Sequence, residues 1–564
     1  MNPSRREFLG GAAVTAMAVA SGANLATTPA TVEAAEKATV ARADETIETQ
    51  IVVVGSGLGG FAAAMTAMEE GARKVVMLEK ESIFGGQTNW ASSNGPGQAS
   101  EAQARRSAAM SMKNSSYIAN PMLHYHMSLD QKEDKDWLFV KHQVQYELRA
   151  NDGTVLATNA GLTPAGIAAA AASAGGPGGG ALGGGGPEGG APGGAPGVGA
   201  PGGGGPSGGR PFYAGGHGSS CIKTLTPQAQ ALGVDMRLNM QAVSLIMKDP
   251  YTCTGVRAKT KEGKIIDFVA KGVVLATGGM STNKPLLAKY TSIDLEKVLI
   301  DGAQSGQDGD GHVMVEATAH GKATHLCVAS LFLNVKGFAF DAAMGVCAGM
   351  QPTNLWVNQD AVRFVDESIV SDTSACNKVV EIQGSVYSVM DQAGFDKYAA
   401  GATQTHYSQF GDKLVGKPIP GLTAEFEKYK NLPDVYQAQT LDELAKKMGI
   451  DVETFNATVE RYNGFAASGK DEEWGKKASN IWPIAKAPYY GFRLYTGMLN
   501  TNGGIRINTK AQVVDPRYKP IAGLYAAGIV TSGWDGEVYL GGTCQPSALW
   551  GGRKAAKHIV ANLL

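Results

Sequence analysis

Paired cysteines are missing from this chain. Its six cysteines, Cys221, Cys253, Cys327, Cys347, Cys376 and Cys544, form no CxxC pair and no CxxCH triplet. That spacing argues against an iron–sulfur cluster, a structural zinc and a covalently attached haem, and it identifies no disulfide. An excess of charge is missing as well: 50 basic and 51 acidic side chains create no field for nucleic acid or an anionic membrane. Beyond the first few dozen residues no stretch is long and apolar enough to span a bilayer. One segment, Gly175 to Gly209, has almost nothing but Gly, Pro and Ala, with a single charge at Glu188. Such a segment cannot bury enough surface to offset its ordering entropy, and a mobile loop is expected there. It lacks the strict three-residue period of collagen.

What is present begins with Ser4-Arg5-Arg6-Glu7-Phe8-Leu9, a twin-arginine pattern. A small-residue apolar stretch follows from Gly10 to about Leu25, then alanine-rich cleavage candidates including Ala41-Arg42-Ala43. Residues 1–43 are therefore expected to be a signal peptide, removed after twin-arginine export of the folded protein to the periplasm or the outer face of the cytoplasmic membrane. The remaining chain is long enough for two or three domains with sizeable cores.

The strongest motif is IVVVGSGLGG, Ile51 to Gly60. Ile51 to Val54 suit a parallel strand buried on both faces. Gly55 permits a tight turn, Gly57 lets backbone N–H groups approach a pyrophosphate, and Gly60 lets the helix FAAAMTAMEEG pack close to the strand. The partial positive charge at that helix N-terminus favours the phosphates. Glu79, at the end of VVMLEK, is placed to accept hydrogen bonds from a ribose. The unit is built for a dinucleotide such as FAD or NAD.

Further motifs extend this reading. GSGLGG, LEK, GGQT (Gly85 to Thr88), ATGG (Ala276 to Gly279), GDG (Gly309 to Gly311) and GLYAAG (Gly523 to Gly528) together resemble the flavoprotein family of fumarate reductases, succinate dehydrogenases, aspartate oxidases, urocanate reductases and 3-ketosteroid dehydrogenases. ELAKKMGI (Glu443 to Ile450) and RYNGFAASGKD (Arg461 to Asp471) look like the helical part of soluble fumarate reductases. The resemblance covers nearly the whole chain after the signal, apart from the glycine-rich loop. It implies an α/β fold, a Rossmann-like FAD-binding domain (50–325 and 487–564) interrupted by an α+β cap (326–486). It implies FAD as cofactor, with Ser56, Gly59, Lys80, Gly86, Gln87 and Thr88 joining Gly55, Gly57, Gly60 and Glu79 around it. Ala91, Ser92, Ala242, Ala276, Thr277, Gly278, Asp310, Gly528 and Ser547 complete that expected set. A helix starting near Pro546 or Ser547 would aim its N-terminus at the pyrimidine edge of the flavin and stabilise negative charge there. Where the family usually has AGE, this chain has Ala527-Gly528-Ile529.

The departures in the chemistry are larger. When VRFVDESIVSD (Val362 to Asp372) is set against the family pattern, the proton-donating arginine falls on Ser371, and other relay positions fall near Cys347 and Met350. A substrate-binding histidine falls on Asn500, and a carboxylate-clamping arginine on Tyr539. Without these cations a dicarboxylate would enter a low-dielectric pocket unpaired, so fumarate and succinate are poor candidates. GEVYLGGT (Gly536 to Thr543) resembles the 3-ketosteroid dehydrogenase pattern whose tyrosine hydrogen-bonds a substrate carbonyl. Tyr539, Asn500 and Ser371 are thus the catalytic candidates, with Tyr495 and Tyr213 in reserve. His124, His126 and His217 have no recognisable partners, and Arg363 with Glu367 reads as a structural ion pair. The expected protein is an exported oxidoreductase acting on CH–CH bonds, reducing a C=C bond conjugated to a carbonyl in a small molecule. Electrons would come from a separate carrier such as a membrane-associated cytochrome. The alternatives are a ketosteroid-like dehydrogenase running oxidatively and a flavin-containing binding or sensor protein.

Overall fold

A computed structural model describes residues 42–92, 100–149, 155–158, 210–300, 306–318, 323–339, 342–404, 416–536 and 539–564. The expected signal peptide, apart from Arg42 and Ala43, and the glycine-rich loop lie outside the described residues.

The β-branched runs form the centre of the first sheet. Five parallel strands stand in the order Asp235–Arg237, Val75–Leu78, Ile51–Val54, Gly272–Leu275 and Pro520–Ala526. Ile51–Val54, Val75–Leu78 and Gly272–Leu275 are buried at every residue, which is why their sequences do not alternate. An antiparallel meander, Met240–Asp249, Thr252–Thr260 and Ile265–Val269, extends this sheet beyond Pro520–Ala526.

Small residues set the helix packing around it. Leu58–Glu69 follows the first strand and is buried through its first ten residues. It lies against the last helix, Cys544–Leu563, and a Cβ on Gly552 would fall 2.2 Å from the carbonyl oxygen of Gly59. Only glycine permits that approach. The contact fixes where the first turn of the last helix points, and this matters below. That helix begins at Cys544 with Thr543 as its cap, two to three residues before the expected start. Pro546 sits in the first turn, where its missing N–H costs no helical hydrogen bond.

A second sheet is organised by one 17-residue strand, Tyr489–Ile505. Ala323–Asn334, Val386–Asp391 and Val435–Ala438 pair antiparallel with it, and Val298–Leu299 pairs parallel. Near its end it meets the segment that follows Pro520–Ala526, with Gly503 N donating to Ile529 O at 2.9 Å and Ile505 N to Val530 O at 2.9 Å. The sequence NTNGG, Asn500 to Gly504, therefore lies on the strand common to both layers.

A buried ionic cluster lies beside the second sheet. Arg363 pairs with Glu367 and Asp471, each at 2.9 Å, and Lys476 pairs with Glu367 at 3.1 Å. Lys476 also donates to the Tyr462 hydroxyl at 2.9 Å. Glu367 also accepts from Trp356 N at 3.0 Å, so the cluster joins the strand Leu355–Asn358 to the helix Val452–Ser468, which carries Tyr462. Arg363→Met should leave buried carboxylates without their partner and destabilise the protein by about 3–5 kcal/mol. Denaturant unfolding of the flavin-loaded protein checks this. A midpoint equal to the parent's would mean the cluster is not a stabilising network.

Candidate functional site

The βαβ unit opens onto a cavity of about 910 Å³, its mouth included. Gly55 has φ of 100°, and a Cβ there would sit 2.3 Å from Ala276 O, so glycine is required by the turn itself. A Cβ on Gly60 would sit 2.0 Å from Gly55 O; Gly60 serves the packing of strand on helix and does not line the cavity. Gly57 is different. Its φ of −66° is open to any residue, and a Cβ would meet no protein atom closer than Thr88 Oγ1 at 3.5 Å. The fold leaves space beside Gly57 that a phosphate group fits.

Glu79 is buried and accepts from Ser56 N at 3.1 Å, from Ser56 Oγ, and from Glu81 N at 2.9 Å. A carboxylate has about four lone-pair sites, so one remains for a ribose hydroxyl. Thr88 Oγ1 accepts from Leu58 N at 2.9 Å, fixing GGQT against the helix start. Ser56, Gly59, Gly86, Gln87 and Thr88 all line the cavity, as do Ala242, Ala276, Thr277, Gly278 and Gly528. These residues fit the extended dinucleotide of FAD.

Other expected residues have different surroundings. Lys80 and Asp310 line the cavity, but Lys80 Nζ is held by Asp308 at 2.7 Å and Asp310 at 2.6 Å. Its charge is already matched. Ala91 and Ser92 are not in the wall: their carbonyls accept from Gly218 N at 2.7 Å and Tyr213 N at 2.9 Å. Ser547 is buried within the last helix, its hydroxyl donating to Cys544 O at 3.0 Å. Reasoning from motifs missed Met240 and Gln307, which do line it; Cys544, Gln545 and Ala548 line it too, within the segment LGGTCQPSALWGG (Leu540 to Gly552) expected beside the flavin. Cys544 and Gln545 were within reach of sequence, since a helix start set two residues earlier puts them in its first turn.

At the end of the cavity marked by Asn500 and Cys544, the polar groups form a chain. Asn500 Nδ2 lies 4.0 Å from Cys544 Sγ, and Asn502 Nδ2 lies 3.3 Å from it. Asn502 Nδ2 also donates to Asp535 Oδ2 at 3.0 Å. Tyr539 is half-buried, with the Cys544 side chain beside it. Burial, with the Cys544 and Asp535 side chains beside it, pushes the Tyr539 phenol well above the usual tyrosine range. Burial pushes the Cys544 thiol up to about 12. Both groups therefore stay protonated and neutral near pH 7. Tyr539 does not itself form part of the main cavity wall; its backbone carbonyl accepts from Ser374 Oγ at 3.0 Å, tying the helix Thr373–Glu381 to this loop.

The structure does not bring Ser371 here. It is exposed, and its hydroxyl donates to Ser368 O at 2.9 Å. Cys347 and Met350 are buried in the hydrophobic core packed on the second sheet. Tyr495 donates to Asp434 at 2.9 Å, and Tyr213 to Gln545 at 3.3 Å. Tyr213 thus stands behind a cavity residue. His124 is buried between Trp534 O at 2.8 Å and Ser111 Oγ at 3.1 Å, and burial lowers its pKa to about 4.

The model of the FAD binding domain matches residues 50–544. The chain is 32% identical over 350 residues to the vinyl phenol reductase of Lactiplantibacillus plantarum, covering 59% of this chain and 69% of that protein. It is 26% identical over 519 residues to the cytochrome fumarate reductase of Shewanella frigidimarina, covering 90% of this chain and 76% of the relative. A solved 3-ketosteroid-delta4-(5alpha)-dehydrogenase from Rhodococcus jostii RHA1 superposes with a TM-score of 0.60 at 22% identity, over 93% of this chain and 98% of that one. That last likeness is one of fold.

Proposed function

This chain belongs to the FAD-binding domain family, and from that premise we propose an enzyme that reduces a C=C bond conjugated to a carbonyl or an equivalent acceptor, with dicarboxylates excluded. FAD is its cofactor, and its relatives include reductases and dehydrogenases acting on CH–CH bonds. The observation that carries the reading is the neutral polar end of the cavity, where Asn500 and Cys544 line the wall with Tyr539 beside Cys544. The name of the vinyl phenol reductase, whose substrate carries no carboxylate, supports the same reading.

Bound FAD supplies hydride through its ring nitrogen N5. The protein's own groups manage the charge that results. Hydride addition to the far carbon of an enone places negative charge on the carbonyl oxygen, and a donor aimed there acts most strongly in a site shielded from water. Tyr539, held neutral, is the donor assigned here; its proton can pass to the substrate. Asn500 supplies a second N–H. The first turn of Cys544–Leu563 adds positive potential at the same end. Export by the twin-arginine route and electron delivery by a separate carrier, such as a membrane-associated cytochrome, belong to the same proposal.

The test is anaerobic. Dithionite-reduced enzyme should be reoxidised by at least one class of enone, vinyl phenol or unsaturated steroid. Failure across all of them would sink the reading, and bleaching of the oxidised flavin by a saturated ketone would reverse its direction. Fumarate should not support oxidation of reduced viologen dye at enzymatic rates, roughly 1–1000 per second. Turnover in that range would mean that a cationic clamp exists elsewhere.

A further inference from the structure

We propose that Gln307 is a positioning residue for the cofactor: it turns the Gln87 amide so that this side chain can offer bound FAD only N–H donors. An amide accepts at one end and donates at the other, so the group that binds one end decides what the other presents. Here the decision starts from the backbone. Gly279 N, which can only donate, gives its hydrogen to Gln307 Oε1 at 3.3 Å. Gln307 Nε2 is then the donor, and it meets Gln87 Oε1. Gln87 is left with Nε2, and among the described residues no protein group accepts from that nitrogen.

Gln307 itself is held in place. It is 3% exposed, and its backbone carbonyl accepts from Thr282 N at 3.1 Å and from Thr282 Oγ1 at 2.7 Å. Reversing its amide would set an NH2 group against Gly279 N–H and leave that buried donor unpaired. Both glutamines line the cavity. Gln87 lies in the short helix Gly86–Trp90 beside Thr88, whose hydroxyl faces the space at Gly57, while Gln307 Oε1 and Thr501 Oγ1 crowd Gly279 together. Thr501 adjoins Asn500, so the pair stands between the phosphate space and the substrate end. Along that length FAD offers phosphate, ribityl and flavin oxygens as acceptors. A free amide could present either end to them, whereas this one is set as a donor before FAD arrives. The inference rests on FAD as the cofactor and not on the alkene reaction.

Dilution of the FAD-loaded proteins, with the rise in flavin fluorescence reporting release, gives each Kd. Gln87→Met keeps the length of the side chain and removes its donors, so FAD should bind about fivefold more weakly. Gln307→Glu still accepts from Gly279 N but has no donor. Gln87 must then turn to give Nε2 to the new carboxylate, which leaves Oε1 facing FAD and should weaken binding at least about tenfold. A charge introduced beside FAD also weakens binding by itself, and the double variant separates the two causes. The charge acts with or without Gln87; the turning needs Gln87. In the Gln87→Met background the factor for Gln307→Glu should therefore be smaller, by at least about threefold. Gln307→Met adds no charge and should show the same dependence on Gln87; it also decides the matter should Gln307→Glu not hold flavin. An equal factor in both backgrounds overturns the proposal, as does a Gln87→Met protein that binds FAD as tightly as the parent. No alkene enters these measurements, so failure of the proposed reaction leaves this result standing, and failure of the coupling leaves the reaction standing.

Discussion

Gly57→Leu should give folded protein without flavin. The backbone at Gly57 has φ of −66° and ψ of 179°, which leucine adopts without strain. The nearest protein atoms to a new Cβ are Thr88 Oγ1 at 3.5 Å and Gly85 O at 3.8 Å, which are ordinary contacts. The apoprotein therefore tolerates the side chain. The pyrophosphate does not, because its approach to the backbone N–H groups passes through that space. Overpacking usually costs about 1–3 kcal/mol, and displacing a bound phosphate from its donors costs more, so FAD affinity should fall at least about a hundredfold. Flavin absorbance per protein in the purified variant reads this directly, beside a thermal melt against parent apoprotein. Gly60→Leu is the contrast: its Cβ would lie 2.0 Å from Gly55 O, so it should fail to fold. Full flavin content in Gly57→Leu would move the cofactor elsewhere.

Tyr539→Phe should slow reoxidation of the reduced enzyme by its alkene substrate by about 10²–10³, or about 2.7–4 kcal/mol. The ring is retained, and the backbone contact from Ser374 to Tyr539 O does not involve the hydroxyl. Packing and the cap contact should survive, and reduction of the flavin by an artificial dye should be unchanged. Because the phenol is raised well above its usual range, the parent's rate should not fall through Tyr539 ionisation anywhere between about pH 6 and 9. Stopped-flow reoxidation measures the step. An unchanged rate would make Tyr539 a wall residue only; Tyr213, which donates to Gln545 in the wall, or an ordered water would then be the donor to seek. Tyr495 is a weaker substitute, being bound to Asp434.

The cofactor end of the site was legible because its logic is local. Gly55, Gly57 and Gly60 act within one strand–turn–helix, and Glu79 ends the neighbouring strand, paired in register with it through Val54 and Leu78. The substrate end was legible only in part. Pattern alignment drew attention to Asn500 and Tyr539, but it also selected Ser371, which the cap leaves exposed on a short helix. A residue's place in a pattern does not determine which way a short helix turns its side chain.

The sequence by itself determined the dinucleotide unit, through local backbone requirements, and, through the resemblance of its motifs to a flavoprotein family, the α/β class and FAD. The unit depends on contiguous residues whose glycines and β-branched runs permit few other conformations. Tertiary structure alone decided the substrate end. Gln307 reaches Gln87 across 220 positions of sequence, and Asn502 reaches Asp535 across 33 and Cys544 across 42. Those contacts exist because Tyr489–Ile505 runs from one sheet into the other, and because the glycine contact between Leu58–Glu69 and Cys544–Leu563 sets where the last helix begins.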